Sequence, residues 1–318
     1  MCNLIGQANG RLTVEAERKK RARRQNGGMG ILAGTTMSNP IPHLPPDILD
    51  CAVDLLRGER ETLEQCCLVS KSWVPRTRKH LFADIKFQSP DDLKAWKKTF
   101  PDPAHSPAYH TRSLLVCDLQ AVTAADAEEG GWIRTFHNVV RLEVWSGNMS
   151  MGEPEGSLVP FHNFSPVLKY LHVVSRNLRC SQVFNLICSQ PLLEDLGVLS
   201  DGPDQCSEDD GTAFQPSTSP ILNGALILFL PQGVGCTTRR LLALPNGLRF
   251  RKLVCASWLE EDLQWIGTLL AGCSDTLEHV DIECYQSGTF LWLLRWDQSL
   301  TETFACARNC MGEFNRLV

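Results

Sequence analysis

The sequence predicts an α/β chain in two parts, three short helices followed by a run of strand-plus-return repeats. Two observations predict it. Between residues 41 and 87 aliphatic residues fall at helical spacings, punctuated by prolines and one glycine. Beyond Ser89 a unit of the form aliphatic-x-x-aliphatic-x-aliphatic recurs at steps of 25 to 29 residues. A chain of 318 residues has room for both, at roughly 150 residues per domain.

Bulk properties narrow the function classes. Hydrophobic residues at 43% and charged residues at 21% suit an ordinary soluble chain with a sizeable core. A formal charge of -5 argues against bulk attraction to nucleic acid. Neither a signal peptide nor a stretch of about 18 apolar residues is legible, so no membrane span is expected. The 14 cysteines include no CxxC pair, and zinc needs convergent ligands at short paired spacings. They are expected to be mostly buried thiols of a reducing compartment, cytoplasmic and/or nuclear.

Residues 1–39 are glycine-rich and lack apolar periodicity, which predicts a disordered tail. Six of the seven residues from Arg18 to Arg24 are cationic: Arg18, Lys19, Lys20, Arg21, Arg23 and Arg24. The run is a candidate nuclear localisation signal, set against the plainer reading of a solvated charge tract.

Structure is expected to begin at Ile41. Pro45 and Pro46 suit a first helical turn, where backbone N–H groups have no intrahelical partner. Asp47 complements the positive end of the helix dipole. Ile48, Leu49, Ala52, Val53, Leu55 and Leu56 form an apolar stripe, and Gly58 supplies the stop. A second helix runs from about Glu59 with Leu63, Cys66, Cys67 and Val69 to Trp73 on its apolar side. Pro75 opens a third, Arg76 to Leu81, and Phe82–Phe87 alternates like a strand. Three helices in about forty residues bury little surface alone, so the unit calls for a partner or a neighbour.

The segments Leu44-Pro45-Pro46-Asp47-Ile48-Leu49, then Leu63 and Cys66-Cys67-Leu68-Val69-Ser70-Lys71-Ser72-Trp73, then Leu81-Phe82 and Ile85, resemble the F-box motif in order, spacing and residue type. The likeness covers Ile41 to Phe87, about a seventh of the chain. It implies a three-helix module over residues 40–88 that docks on the Skp-type adaptor of a cullin-based (SCF) ubiquitin ligase. By position, the adaptor-facing residues would be Ile41, Leu44, Pro45, Ile48, Leu49, Leu63, Cys67, Leu68, Val69 and Ser70, with Trp73 packing within the module and at its edge.

The downstream unit centres on Leu114, Leu142, Leu171, Leu196, Ala225, Leu253 and Val280, at steps of 28, 29, 25, 29, 28 and 27 residues. Such steps resemble leucine-rich repeats, in which each unit gives one strand and a helical or irregular return. Residues 89–286 are therefore expected to form an irregular leucine-rich-repeat-like solenoid. Helical returns are predicted over Ser181–Cys188 and Ser257–Ala271, the latter with Leu259, Leu263, Ile266 and Leu270 on one face. Departures are evident: Ala225 stands where a leucine is expected, and Asn148 and Asn177 sit off the register of a buried polar ladder. Residues 201–219 read as an irregular acidic loop, and residues 287–318 as a cap or tail.

No nucleophile elbow, phosphate-binding loop or HExxH pair occurs, and the eight histidines are scattered. No catalytic residue, metal or cofactor is expected, and the chain is not read as an enzyme. The resemblance implies a substrate-recognition subunit that works by proximity. The helical module would hold a ligase, and the repeats would grip an unknown protein target. Outward positions beside the strands are the candidate grip: Glu143, Trp145, Lys169, His172, Glu194, Glu278, His279, Asp281 and Glu283. The alternative is a non-catalytic scaffold acting outside a cullin complex.

Overall fold

The computed structural model describes residues 45–117, 122, 126, 131–145, 158–175, 180–200, 220–229, 235–257, 262–286 and 289–297. The basic tail with Arg18–Arg24, Ile41, Leu44, Asn148, Asn177, Leu259, the acidic loop 201–219 and the end of the chain from 298 lie outside the described residues. The chain is an α/β protein that divides into two compact units. The first comprises residues up to Phe82 together with Asp91–Thr99; the second comprises Ala83–Pro90 and everything from Phe100 onward.

The first unit contains α1 (Pro46–Leu55), α2 (Arg60–Val69), α3 (Val74–Leu81) and α4 (Pro90–Thr99). The Pro45 carbonyl accepts the N–H groups of Ile48 and Leu49 at 3.0 and 3.2 Å, closing the first turn of α1. Past its end, Gly58 takes φ +99°, a left-handed conformation that a side chain would strain. The predicted stripe of α1 turns mostly outward: Val53 is its buried member, whereas Ile48, Ala52 and Leu55 are exposed. α2 buries Leu63 and Cys66. Thr77 of α3 is fully buried and donates its hydroxyl to the Trp73 carbonyl at 2.7 Å. The basic last turn of α3, Arg78-Lys79-His80, lies at the negative end of its dipole. α4, read from sequence as part of the repeats, clusters with this unit, and Trp96 meets Phe82 edge-on at 6.0 Å.

The second unit is built on one nine-stranded sheet whose spatial order equals its sequence order. The strands are β1 (Asp84–Phe87), β2 (Ser113–Val116), β3 (Arg141–Trp145), β4 (Tyr170–Ser175), β5 (Asp195–Ser200), β6 (Ala225–Phe229), β7 (Lys252–Ser257), β8 (His279–Gln286) and β9 (Thr289–Asp297). β1 to β8 are parallel, and β9 turns back antiparallel on β8. Residues 287–318, expected as a cap or tail, thus contribute a strand.

Two ladders make the core of this sheet. Ile85, Leu114, Leu142, Leu171, Leu196, Leu226, Leu253 and Val280 stand in register, as do Phe87, Val116, Val144, Val173, Val198, Leu228, Cys255 and Ile282. Every member is buried. Side chains alternate across a strand, so residues between these ladders point to the opposite, open face. Parallel sheets are ordinarily covered on both faces; here the alternation of burial marks one. Six of the seven register positions read from sequence are those observed. The exception is the unit of β6, where Leu226 rather than Ala225 occupies the ladder. The parallel run also starts one strand earlier than expected, at β1.

The returns change character along the chain. Short 3₁₀ turns occur at Pro103–His105, Pro107–His110, Ile133–Phe136 and Val159–Phe161. Later returns carry α5 (Cys180–Cys188), α6 (Gly235–Leu242) and α7 (Asp262–Gly272). α7 buries Ile266 and Leu269, with Leu270 only half-buried.

Within this second unit a column of carbonyls links successive repeats. Ala83, Arg112, Val140, Lys169, Gly224 and Arg251 each precede a strand. Each gives its carbonyl to two successive N–H groups at the start of the next unit, for example Arg112 to Val140 and Arg141 at 2.8 and 3.0 Å. Parallel strands leave such groups without partners inside the ladder, and burial would make that costly. Side chains reinforce the column one unit back. Asn138 donates to the Tyr109 carbonyl at 2.8 Å, Ser165 to Val139 at 2.7 Å, buried Gln190 to Phe161 at 2.9 Å and Thr276 to Phe250 at 3.0 Å.

Candidate functional site

Two surfaces stand out, one on each unit. On the helical unit, four large aliphatic side chains face solvent: Ile48 at 54% exposure, Leu55 at 86%, and Leu68 and Val69 at 71% each. Leu68 and Val69 end α2, and Ser70 then leaves helical geometry with φ -147°. The Ser70 hydroxyl lies 2.8 Å from that of Ser72, and the Ser70 carbonyl accepts Trp73 N–H at 3.2 Å, so a tight turn carries the chain into α3.

The residues expected to face an adaptor therefore divide. Pro45, Ile48, Leu68 and Val69 are exposed, and Leu49, Ser70 and Trp73 are half-buried. Leu63 is corrected: at 2% exposure it belongs to the interior of the unit and is closed to any partner. Cys67 is half-buried and hydrogen-bonded to Thr77, with burial pushing its thiol above the ordinary value. Both follow from helix geometry, since α2 must turn one stripe toward α3 and leaves Leu68 and Val69 off that stripe. Leu55, absent from the expected set, is the most exposed aliphatic of the four.

A charged pin holds this unit together. The Asp54 carboxylate, near the end of α1, accepts from Arg76 Nε at 2.6 Å and from Arg76 Nη2, and it meets His80 Nε2 at 2.6 Å. The hydrogen bonds from Arg76 and His80 hold the Asp54 carboxyl well below the usual carboxylate range. α1 and α3 thus keep their relation without using the exposed aliphatics.

On the second unit the open sheet face carries Leu115, Glu143, His172, Gly197, Ile227, Val254 and Asp281 in one row across the strands. Trp145, Val174, Leu199, Phe229, Ala256 and Glu283 form the next row. Trp145 and Phe229 are 44% and 38% exposed. An open depression of about 240 Å³ lies over β3 to β6, among Arg141, Glu143, Tyr170, His172, Asp195 and Gly197.

Its geometry follows from one small residue, Gly197. A methyl group added at Gly197 would overlap the His172 imidazole, which therefore fills the space a side chain would take there. Nε2 of His172 is buried without a hydrogen-bond partner. Burial holds His172 below its ordinary 6.5; the Glu143 carboxylate acts in the opposite direction, and Arg141 acts with burial. Arg141 stacks its guanidinium on Tyr170, 4.9 Å from the ring centre. Glu143, Trp145, His172, His279, Asp281 and Glu283 of the expected grip lie on this face. Lys169 and Glu194 instead pair with each other at 2.6 Å just ahead of the strands. Glu278, also ahead of its strand, lies 3.9 Å from Arg251.

No family model, curated protein or solved structure matches this chain.

Among the described residues no cluster of three or more metal-ligating side chains occurs, and no helix is long and apolar enough to cross a membrane. Eight described cysteines are free thiols, and Cys236, in the first turn of α6, is disulfide-bonded.

Proposed function

We propose that the chain is the substrate-recognition subunit of an SCF-type ubiquitin ligase. Its helical unit acts as an F-box that docks on a Skp-type adaptor, and through it on a cullin. Its sheet unit, a leucine-rich-repeat-like solenoid, holds a protein target by the open face.

The observation that carries this reading is the exposure of Leu68 and Val69 at the end of α2, with Ile48 on α1. Adjacent aliphatic side chains left open to water, such as Leu68 and Val69, favour a protein contact over a role in the unit's own core. Here Val53, Leu63, Cys66 and Thr77 fill it. Strictly sequential parallel strands with a repeating aliphatic ladder support the repeat reading, because each unit buries its face only against its neighbours. The polar bonds between units sit ahead of the strands, on Asn138, Ser165, Gln190 and Thr276, whereas the repeat family places its ladder after them. In this reading the protein supplies no chemistry: it raises the local concentration of target and ligase.

Co-purification tests the assignment. The full chain is expected to capture a Skp-type adaptor and cullin, and Ile48→Asp with Leu68→Asp is expected to abolish capture while both units stay folded. Undiminished capture by the double variant, or no capture by the folded wild type, would refute the reading.

A further inference from the structure

We propose that His172 is a proton-operated cover for the depression on the open sheet face. As a neutral imidazole it occupies the place above Gly197; once protonated it leaves that place for the Glu143 carboxylate and bares the Gly197 main chain. The proposal concerns the regulation of the surface read above as the target grip, and it rests on that reading for its biological meaning.

The geometry supplies the closed position of the ring. In the closed position the imidazole fills the volume that a Gly197 side chain would occupy, and only glycine in this row leaves room for it. There Nε2 is buried and makes no hydrogen bond. A neutral ring can leave Nε2 as an unused acceptor at modest cost. An imidazolium cannot, because both nitrogens then carry protons and the ring a full charge, which burial without a partner penalises heavily. Protonation, with the proton drawn from solvent, therefore favours departure.

The charged groups facing His172 define where it goes. On β3, Glu143 is its register partner, on a strand about 4.8 Å away. Arg141, also on β3, repels an imidazolium but is stacked on Tyr170 of β4. On β5, Asp195 already accepts the Ala225 N–H with Oδ1. Glu143, which makes no hydrogen bond or ion pair among the described residues, is the carboxylate left to receive the ring. The lowering of the His172 titration by burial, against the pull of Glu143, agrees with a ring that must move to accept its proton.

NMR on the full chain, labelled with ¹³C in histidine rings and ¹⁵N in glycine, tests this between about pH 5 and pH 8, where histidine titrates. His172, assigned by its loss in His172→Gln, is expected to titrate below 6.5. The Gly197 amide should shift with the same midpoint. Glu143→Gln lowers both midpoints together, and Gly197→Ala raises that of His172 because the ring is expelled at every pH. A Gly197 amide that stays still while His172 titrates would overturn the proposal, as would a midpoint unchanged by Glu143→Gln. The second arm stands even if Gly197→Ala does not fold. The readout needs no adaptor, so lost adaptor capture would sink the ligase reading alone, and a silent Gly197 amide would sink the cover alone.

Discussion

The Asp195 carboxylate accepts the backbone N–H of Ala225, 30 residues further along the chain. At every other junction among the described strands β1 to β8, that N–H goes to a main-chain carbonyl of the preceding unit. Here the Glu194 carbonyl receives only Gly224, and Leu222 takes φ +42°, a conformation rare for a branched side chain. A Cβ at Gly224 would collide with Asp195. Asp195→Ala is expected to destabilise the sheet unit by about 2 kcal/mol, the scale of a hydrogen bond to a charged group. Asp195→Asn, which keeps an acceptor oxygen, should cost less. Urea unfolding of the two variants checks the order.

Register supplies a second expectation. Leu226 is fully buried in the ladder and Ala225 is not. Leu226→Ala should cost roughly 2–5 kcal/mol, while Ala225→Ser should stay within about 0.5 kcal/mol. Equal costs, read from chemical denaturation, would contradict the observed register.

The helical unit offers the same contrast between core and surface. Leu63→Ala is expected to cost about 2–5 kcal/mol, and Leu68→Ala to leave stability within roughly 0.5 kcal/mol. In the ligase reading Leu68→Ala weakens adaptor capture without touching the melting temperature. Thermal unfolding and a pull-down on the same preparations separate the two effects.

Acid should act on the helical unit through Asp54. Its carboxyl titrates below the ordinary 3.8 because Arg76 and His80 bond to the charged form. The unfolded chain then binds the proton more readily, so the contribution to stability is present above about 3.8 and is lost as pH falls below it. Asp54→Asn should weaken the unit at neutral pH and flatten its acid limb in circular dichroism.

Much of the sheet was legible in the sequence because one aliphatic residue per unit must enter the shared core. That constraint placed Leu114, Leu142, Leu171, Leu196, Leu253 and Val280 correctly. It failed at Ala225, where Leu222, Ala225 and Ile227 satisfy the aliphatic pattern although the ladders take Leu226 and Leu228, and the deciding Asp195 contact lies 30 residues away. The inclusion of α4 in the first unit was hidden for a similar reason: its amphipathic pattern says that it packs, not against what. Leu63 was misplaced because family position alone cannot tell which side of α2 meets α3. The relation of His172 to Gly197 was also invisible, since a glycine in a strand signals a close approach without naming the visitor.

The carbonyl column has an evolutionary corollary. Because the acceptors at Arg112, Val140 and Lys169 are interchangeable in geometry, excising or duplicating a whole unit would rejoin matching ends. A one-residue slip would instead turn that strand inside out. Such a chain changes length in module-sized quanta, and the β5–β6 junction, where a carboxylate has replaced the carbonyl, is the place where that interchangeability has been surrendered.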